Sequence, residues 1–112
     1  QSLLDAVKVK SISHITGGGF YENIPRSLPK GLSAKIARAD VQVLPIFDLI
    51  AKVGNIPEHD MFNTFNMGVG MTVVVDKADA DKAIAAIKAA GEVSLLKVMR
   101  VLSSANFRES II

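Results

Sequence analysis

A chain of 112 residues, 49% hydrophobic and 21% charged, makes one small domain and leaves too little for two. It has no cysteine, which excludes disulfides, thiolate metal sites, iron–sulfur clusters and a cysteine nucleophile. Its longest apolar run is about five residues, too short for a membrane-spanning helix, and no N-terminal stretch reads as a secretory signal, so the expected setting is cytoplasmic.

The net charge of +2 hides an uneven distribution. Residues 1–38 carry six Lys/Arg against two acids, residues 39–81 two against seven, and residues 82–112 five against two. The basic first third suits an anionic ligand, although ordinary solvated charge also accounts for it. Aromatics interleaved with basic residues are missing, so nucleic acid is not an expected partner. The chain begins at Gln1 rather than Met, which reads as a fragment or a trimmed product.

Residues 1–8 (QSLLDAVK) are expected to end a helix, with Leu3, Leu4 and Val7 on one face. Residues 8–15 alternate as a strand does, with Val9, Ser11, Ser13 and Ile15 on one side and Lys8, Lys10, Ile12 and His14 on the other. Thr16-Gly17-Gly18-Gly19 must be a loop, because consecutive glycines in an element interior carry a large entropic cost. A short helix follows and is expected to stop by Ile24, since Pro25 disfavours helical geometry in the residue before it. Pro29-Lys30-Gly31 makes a turn, and residues 32–38 a short strand.

Pro45 opens a helix in which Ile46, Phe47, Leu49, Ile50 and Val53 form a stripe expected to face the core, with Gly54 as its left-handed stop. Asn55 is read as the N-cap of a second helix over 57–64, with Glu58 three residues on. Residues 68–75 are the clearest strand, and Val73–Val75 look buried on both faces. Asp76 is expected to cap a helix whose inner face is Ala80, Ala83, Ile84, Ile87 and Ala90, ended by Gly91. Residues 93–101 read as the last strand. The expected fold is α+β, residues 1–112 forming one domain: a small mixed sheet of about four strands with helices packed on one face.

The strongest chemical signal is His14-Ile15-Thr16-Gly17-Gly18-Gly19. Glycines let main-chain amides approach an anion, a helix start adds donors and a positive dipole end, and Thr16 adds a hydroxyl. The alternative is a tight turn that needs only glycine's conformational freedom. His14 ends the strand, and imidazole is the side chain whose charge changes nearest neutral pH. The second signal, Phe62 through Gly70, sets two carboxamides and two glycines between a helix and a buried strand, where they can hold a polar ligand or simply shape a turn. His59, between Glu58 and Asp60, reads as part of a solvated charged face. His14 and His59 are the only histidines and lie at no metal-site spacing, and acids at Asp76, Asp79 and Asp81 suit a helix start, so no metal site is expected.

Three ordered blocks carry a resemblance. His14-Ile-Thr-Gly-Gly-Gly-Phe-Tyr-Glu-Asn-Ile-Pro-Arg26, Val43-Leu-Pro-Ile-Phe47 through Gly54-Asn-Ile-Pro-Glu58, and Met61-Phe-Asn-Thr-Phe-Asn-Met-Gly-Val-Gly-Met71 together resemble the C-terminal domain of the phosphoribosylformylglycinamidine cyclo-ligase (aminoimidazole ribonucleotide synthetase) family. The first block is partly shared with formylglycinamidine ribonucleotide synthetase, and its continuation favours the cyclo-ligase.

The resemblance implies a homodimeric enzyme of purine biosynthesis. It activates the formyl amide oxygen of a ribonucleotide with ATP and Mg²⁺ so that the amidine nitrogen closes an imidazole ring and phosphate leaves. It implies an N-terminal domain, absent here, that handles most of the ATP and Mg²⁺, so that none is expected on this chain alone. It makes His14 the catalytic candidate, and Thr16, Gly17, Gly18, Gly19 and Asn66 candidates for binding substrate or phosphate. Residues 93–112 depart from the family pattern and read as a cloning artefact, a shifted frame or a divergent terminus. The rival readings are a non-catalytic binding or dimerisation module and a fragment of a related synthetase.

Overall fold

The computed structural model describes residues 1–91, 99–103 and 107–111. In chain order the elements are α1 (Ser2–Ala6), β1 (Ser11–His14), α2 (Gly19–Arg26), β2 (Leu32–Lys35), α3 (Pro45–Gly54), α4 (Glu58–Thr64), β3 (Met71–Asp76), α5 (Ala80–Ala89), β4 (Met99–Ser103) and β5 (Phe107–Ile111), with 3₁₀ turns at Arg38–Asp40 and Lys77–Asp79. Most of the expected strand over 93–101 lies outside the described residues; β4 takes up its end.

The fold is α+β, with two corrections to the expected sheet. Its strand order is β1-β3-β5-β4-β2, and every pairing is antiparallel. The crossover through α2 joins β1 to β2, and these lie at opposite edges, so they cannot form the adjacent parallel pair of a mixed sheet. Two strands, β4 and β5, follow α5 where one was expected; Phe107, Glu109 and Ile111 alternate with Arg108 and Ser110, a pattern too polar to stand out.

Helices also cover both faces rather than one. Val74 joins Ile15, Phe20, Ile24, Met61 and Phe62 in one core, while Val73 and Val75 join Val7, Ala80 and Ala83 in another. Successive strand side chains point to opposite faces, so α2 and α4 pack on one face of β3 and α1 and α5 on the other. Burial on both faces, at about 1.5–3 kcal/mol for a fully buried valine, makes β3 the spine of the domain. Among the described residues no helix is long and apolar enough to cross a membrane.

Local signals are read differently at four places. Pro25 does not end α2, which runs to Arg26. The proline lies in the last turn, and Ser13 Oγ, donating to the Asn23 carbonyl at 2.8 Å, and Ser11 Oγ, donating to the Ser27 carbonyl at 2.6 Å, pin that turn to β1. Asn55, not Gly54, takes the left-handed position after α3, with φ 50°, a conformation asparagine tolerates; Pro57 precedes α4 in its place. Asp76 makes no capping hydrogen bond and pairs instead with Lys10. The apolar residues of α3 split: Phe47, Ile50 and Ala51 pack on the core, but Ile46, Leu49 and Val53 are exposed.

Candidate functional site

The two glycine segments meet at one end of the β1–β3 pair. His14 lies opposite Met71, and the Ile15 amide donates to the Gly70 carbonyl at 2.9 Å. Thr16–Gly19 is a type II turn: the Gly19 amide donates to the Thr16 carbonyl at 3.0 Å, and Gly18 has φ 101° and ψ −11°, which calls for glycine at the third position. Gly19 has φ 55° and lies against α4, where a methyl group would stand 2.0 Å from the Phe62 carbonyl oxygen. Turn chemistry and helix packing thus account for Gly18 and Gly19. They do not account for Gly17, which is exposed, has no positive φ and faces open space. Gly70 shares those three properties.

Asn23, absent from the expected site, organises the turn. It is buried, and its Nδ2 donates to the Gly19 carbonyl at 2.8 Å and, at 3.3 and 3.5 Å, to those of Gly17 and Thr16. The Thr16 hydroxyl lies 3.5 Å from its Oδ1. In a trans peptide the N–H points opposite to the preceding C=O. Drawing the Thr16 and Gly17 carbonyls inward therefore turns the Gly17 and Gly18 amides outward, and among the described residues neither has an acceptor. The signal was a polar residue on the apolar face of a short helix, at i+3 from Phe20 and beside Ile24.

His14 is exposed and occupies the opposite face of β1 from Ser13 and Ile15, which bind and pack on α2. Asn66 is half-buried and shapes its own turn: Oδ1 accepts from the Gly68 amide at 2.9 Å, and its carbonyl accepts from Val69 at 2.8 Å. The two residues between, Met67 and Gly68, have φ 54° and 100°, so the oxygen of Asn66 is committed to an Asx-type turn.

The charge that lies over the turn is an acid, and the basic residues on either side of it in sequence are paired. Lys10 lies at the far end of β1, paired with Asp76. Arg26 pairs with Glu22 at 2.9 Å, and the Glu22 carboxylate lies over Gly18, where a methyl group would stand 2.9 Å from Oε2. An acid in the first turn suits the helix dipole but opposes an incoming anion. His59 is exposed, stacked on Tyr21 at 4.7 Å, with Nδ1 3.4 Å from Asp60. Among the described residues no three His, Asp or Glu side chains gather as metal ligands.

Away from the turn, a cavity of about 340 Å³ lies between α2, β2 and α4, with Phe20, Ile24, Val41 and Phe62 in its lining. Arg38 also lines it, held by Nε to Glu58 at 2.8 Å and lying 5.3 Å above the Phe62 ring.

These features define an α+β domain whose antiparallel sheet carries, at one end, a main-chain surface built from two glycine turns. Residues 1–98 match the family described as AIR synthase related protein, C-terminal domain, and the chain belongs to that family. It is 59% identical over 86 residues to a phosphoribosylformylglycinamidine cyclo-ligase of Lachnospira eligens, covering 77% of this chain and 25% of that protein. A Caldanaerobacter subterraneus protein of the same name is 48% identical over 94 residues, covering 84% and 28%. One from Staphylococcus epidermidis is 52% identical over 83 residues, covering 74% and 24%. The chain spans about a quarter of the length of these curated relatives.

Proposed function

We propose that this chain is the C-terminal domain of a phosphoribosylformylglycinamidine cyclo-ligase, which closes the imidazole ring of aminoimidazole ribonucleotide from formylglycinamidine ribonucleotide at the expense of ATP. The observation that carries the reading is the family match over residues 1–98, which takes in both glycine segments. In this reading the outward amides of Gly17 and Gly18, with the Thr16 hydroxyl, meet the anionic part of the ribonucleotide. His14 stands at the strand end to orient the reacting group or shuttle a proton. ATP and Mg²⁺ are held mostly by polypeptide N-terminal to this domain, in a cytoplasmic homodimer.

The test is ADP release by the full polypeptide, dependent on formylglycinamidine ribonucleotide. Gly17→Val, which adds bulk in open space and leaves the turn intact, is expected to raise KM for the ribonucleotide about tenfold or more, the loss of one or two charge-assisted hydrogen bonds, without lowering the denaturation midpoint. No ribonucleotide-dependent ADP release refutes the enzyme reading. Turnover with an unchanged KM in a folded Gly17→Val leaves the loop as a turn only. The 112-residue chain by itself is expected to release no ADP, since phosphoryl transfer needs positioned Mg²⁺ and phosphate ligands.

A further inference from the structure

The outer face of α3 is apolar and bare. Ile46 is 53% exposed, Leu49 56% and Val53 78%, with Leu44 at 42% just before the helix. Ile46, Leu49 and Val53 recur at helical spacing and form a second stripe, about a third of a turn around the axis from the Phe47–Ile50–Ala51 stripe that packs on the core. A contiguous apolar face on a short helix is the mark of a contact surface rather than of scattered surface hydrophobics.

We propose that this stripe packs against polypeptide N-terminal to this domain in the same chain. The inference rests on reading these residues as the C-terminal part of a longer protein. Two observations select that occupant over a second copy. Stable association of separate molecules takes about 800 Å² and 20–30 residues on each side, whereas the stripe offers four side chains on and beside a ten-residue helix. A tethered partner needs far less, because a short linker gives a millimolar effective concentration. The relatives also carry about three quarters of their length outside the matched region, and the matched region is the C-terminal one. The domain that supplies the tether therefore also supplies the cover.

The experiment is maleimide labelling of the full polypeptide in a cysteine-free background, the present residues contributing no thiol. Leu49→Cys and Val53→Cys report on the stripe, and Asp48→Cys, on a different side of the same helix, is the exposed reference. Both stripe thiols are expected to label about tenfold or more slowly than Cys at 48, as groups released only by local opening do, and all three are expected to label alike in urea. Similar native rates at 49, 53 and 48 overturn the proposal. So does protection that disappears on dilution, which assigns the stripe to a second copy. Turnover of formylglycinamidine ribonucleotide, measured on the same samples, separates the two readings: an active protein with a fast-labelling stripe keeps the proposed function and loses this inference.

Discussion

Gly19 has no room for a side chain because the Phe62 carbonyl fills it: a methyl group there would lie 2.0 Å from the oxygen. The contact lets α2 approach α4 closely, with the Phe20 and Phe62 rings edge to face at 5.2 Å beside it. Gly19→Ala is therefore expected to cost about 1–3 kcal/mol through overpacking, with added strain from a φ of 55°. Gly17→Ala, in open space, is expected to stay within about 0.5 kcal/mol of the parent. Urea denaturation of both variants checks this, and equal losses would mean that helix approach is not what demands glycine at 19.

The buried carboxamide of Asn23 donates to carbonyls on both sides of the glycine turn. Asn23→Asp keeps the shape but sets a carboxylate or a single hydroxyl where an NH₂ stood. It is expected to lose about 1–3 kcal/mol, the cost of leaving buried partners unsatisfied. Hydrogen exchange at the Gly19 amide, which closes the turn onto Thr16, is expected to quicken beyond the change seen in α5. A uniform change across both helices would reduce Asn23 to an ordinary core contact.

What could be read from the sequence followed from signals that are local. The strand at β3 announced itself because Val73, Val74 and Val75 serve two cores at once. The helix after Pro45 was legible from its first residue, and α5 from its alanine and isoleucine spacing. The division of α3 into core and outer stripes was not, because periodicity gives the width of an apolar face and not what covers it. Asn55 and Asp76 misled for a shared reason: each residue type has two uses at a helix end, and tertiary contacts choose between them. Of the site, the positions of Thr16 through Gly19 were legible, but their individual reasons were not. Gly18 answers to a turn, Gly19 to a carbonyl from a helix some forty residues on, and Gly17 to neither.

Glu22 stands where an anion at the turn would feel it most. Its carboxylate lies over Gly18 and is half-exposed, as is its pairing with Arg26. Glu22→Gln removes the charge, keeps the length and frees Arg26. Exposed charge interactions amount to about 0.2–1 kcal/mol, so KM for the ribonucleotide is expected to fall by a factor of about 1.4 to 5 at low salt and by less at high salt, where screening removes the difference. A KM insensitive to the substitution at both salt concentrations would place the anion elsewhere.

His14 is the remaining test of whether this end of the sheet takes part in chemistry. Its side chain is exposed, and among the described residues it makes no hydrogen bond; its cross-strand neighbour Met71 is exposed as well, at 55%. The fold therefore does not depend on the imidazole, and His14→Ala is expected to leave stability within about 0.5 kcal/mol of the parent. That makes any kinetic effect readable as chemistry. A group that moves a proton in the transition state contributes typically 10²–10⁴-fold, so kcat is expected to fall about a hundredfold with little change in KM, the pattern of an interaction made in the transition state and not before. Here the turn and the histidine separate. Gly17→Val acts on KM through the main-chain amides of the turn, and His14→Ala acts on kcat through the exposed side chain at the strand end. A His14→Ala enzyme that keeps its kcat would mean that the exposed imidazole has no part in ring closure, whatever the glycine turn binds.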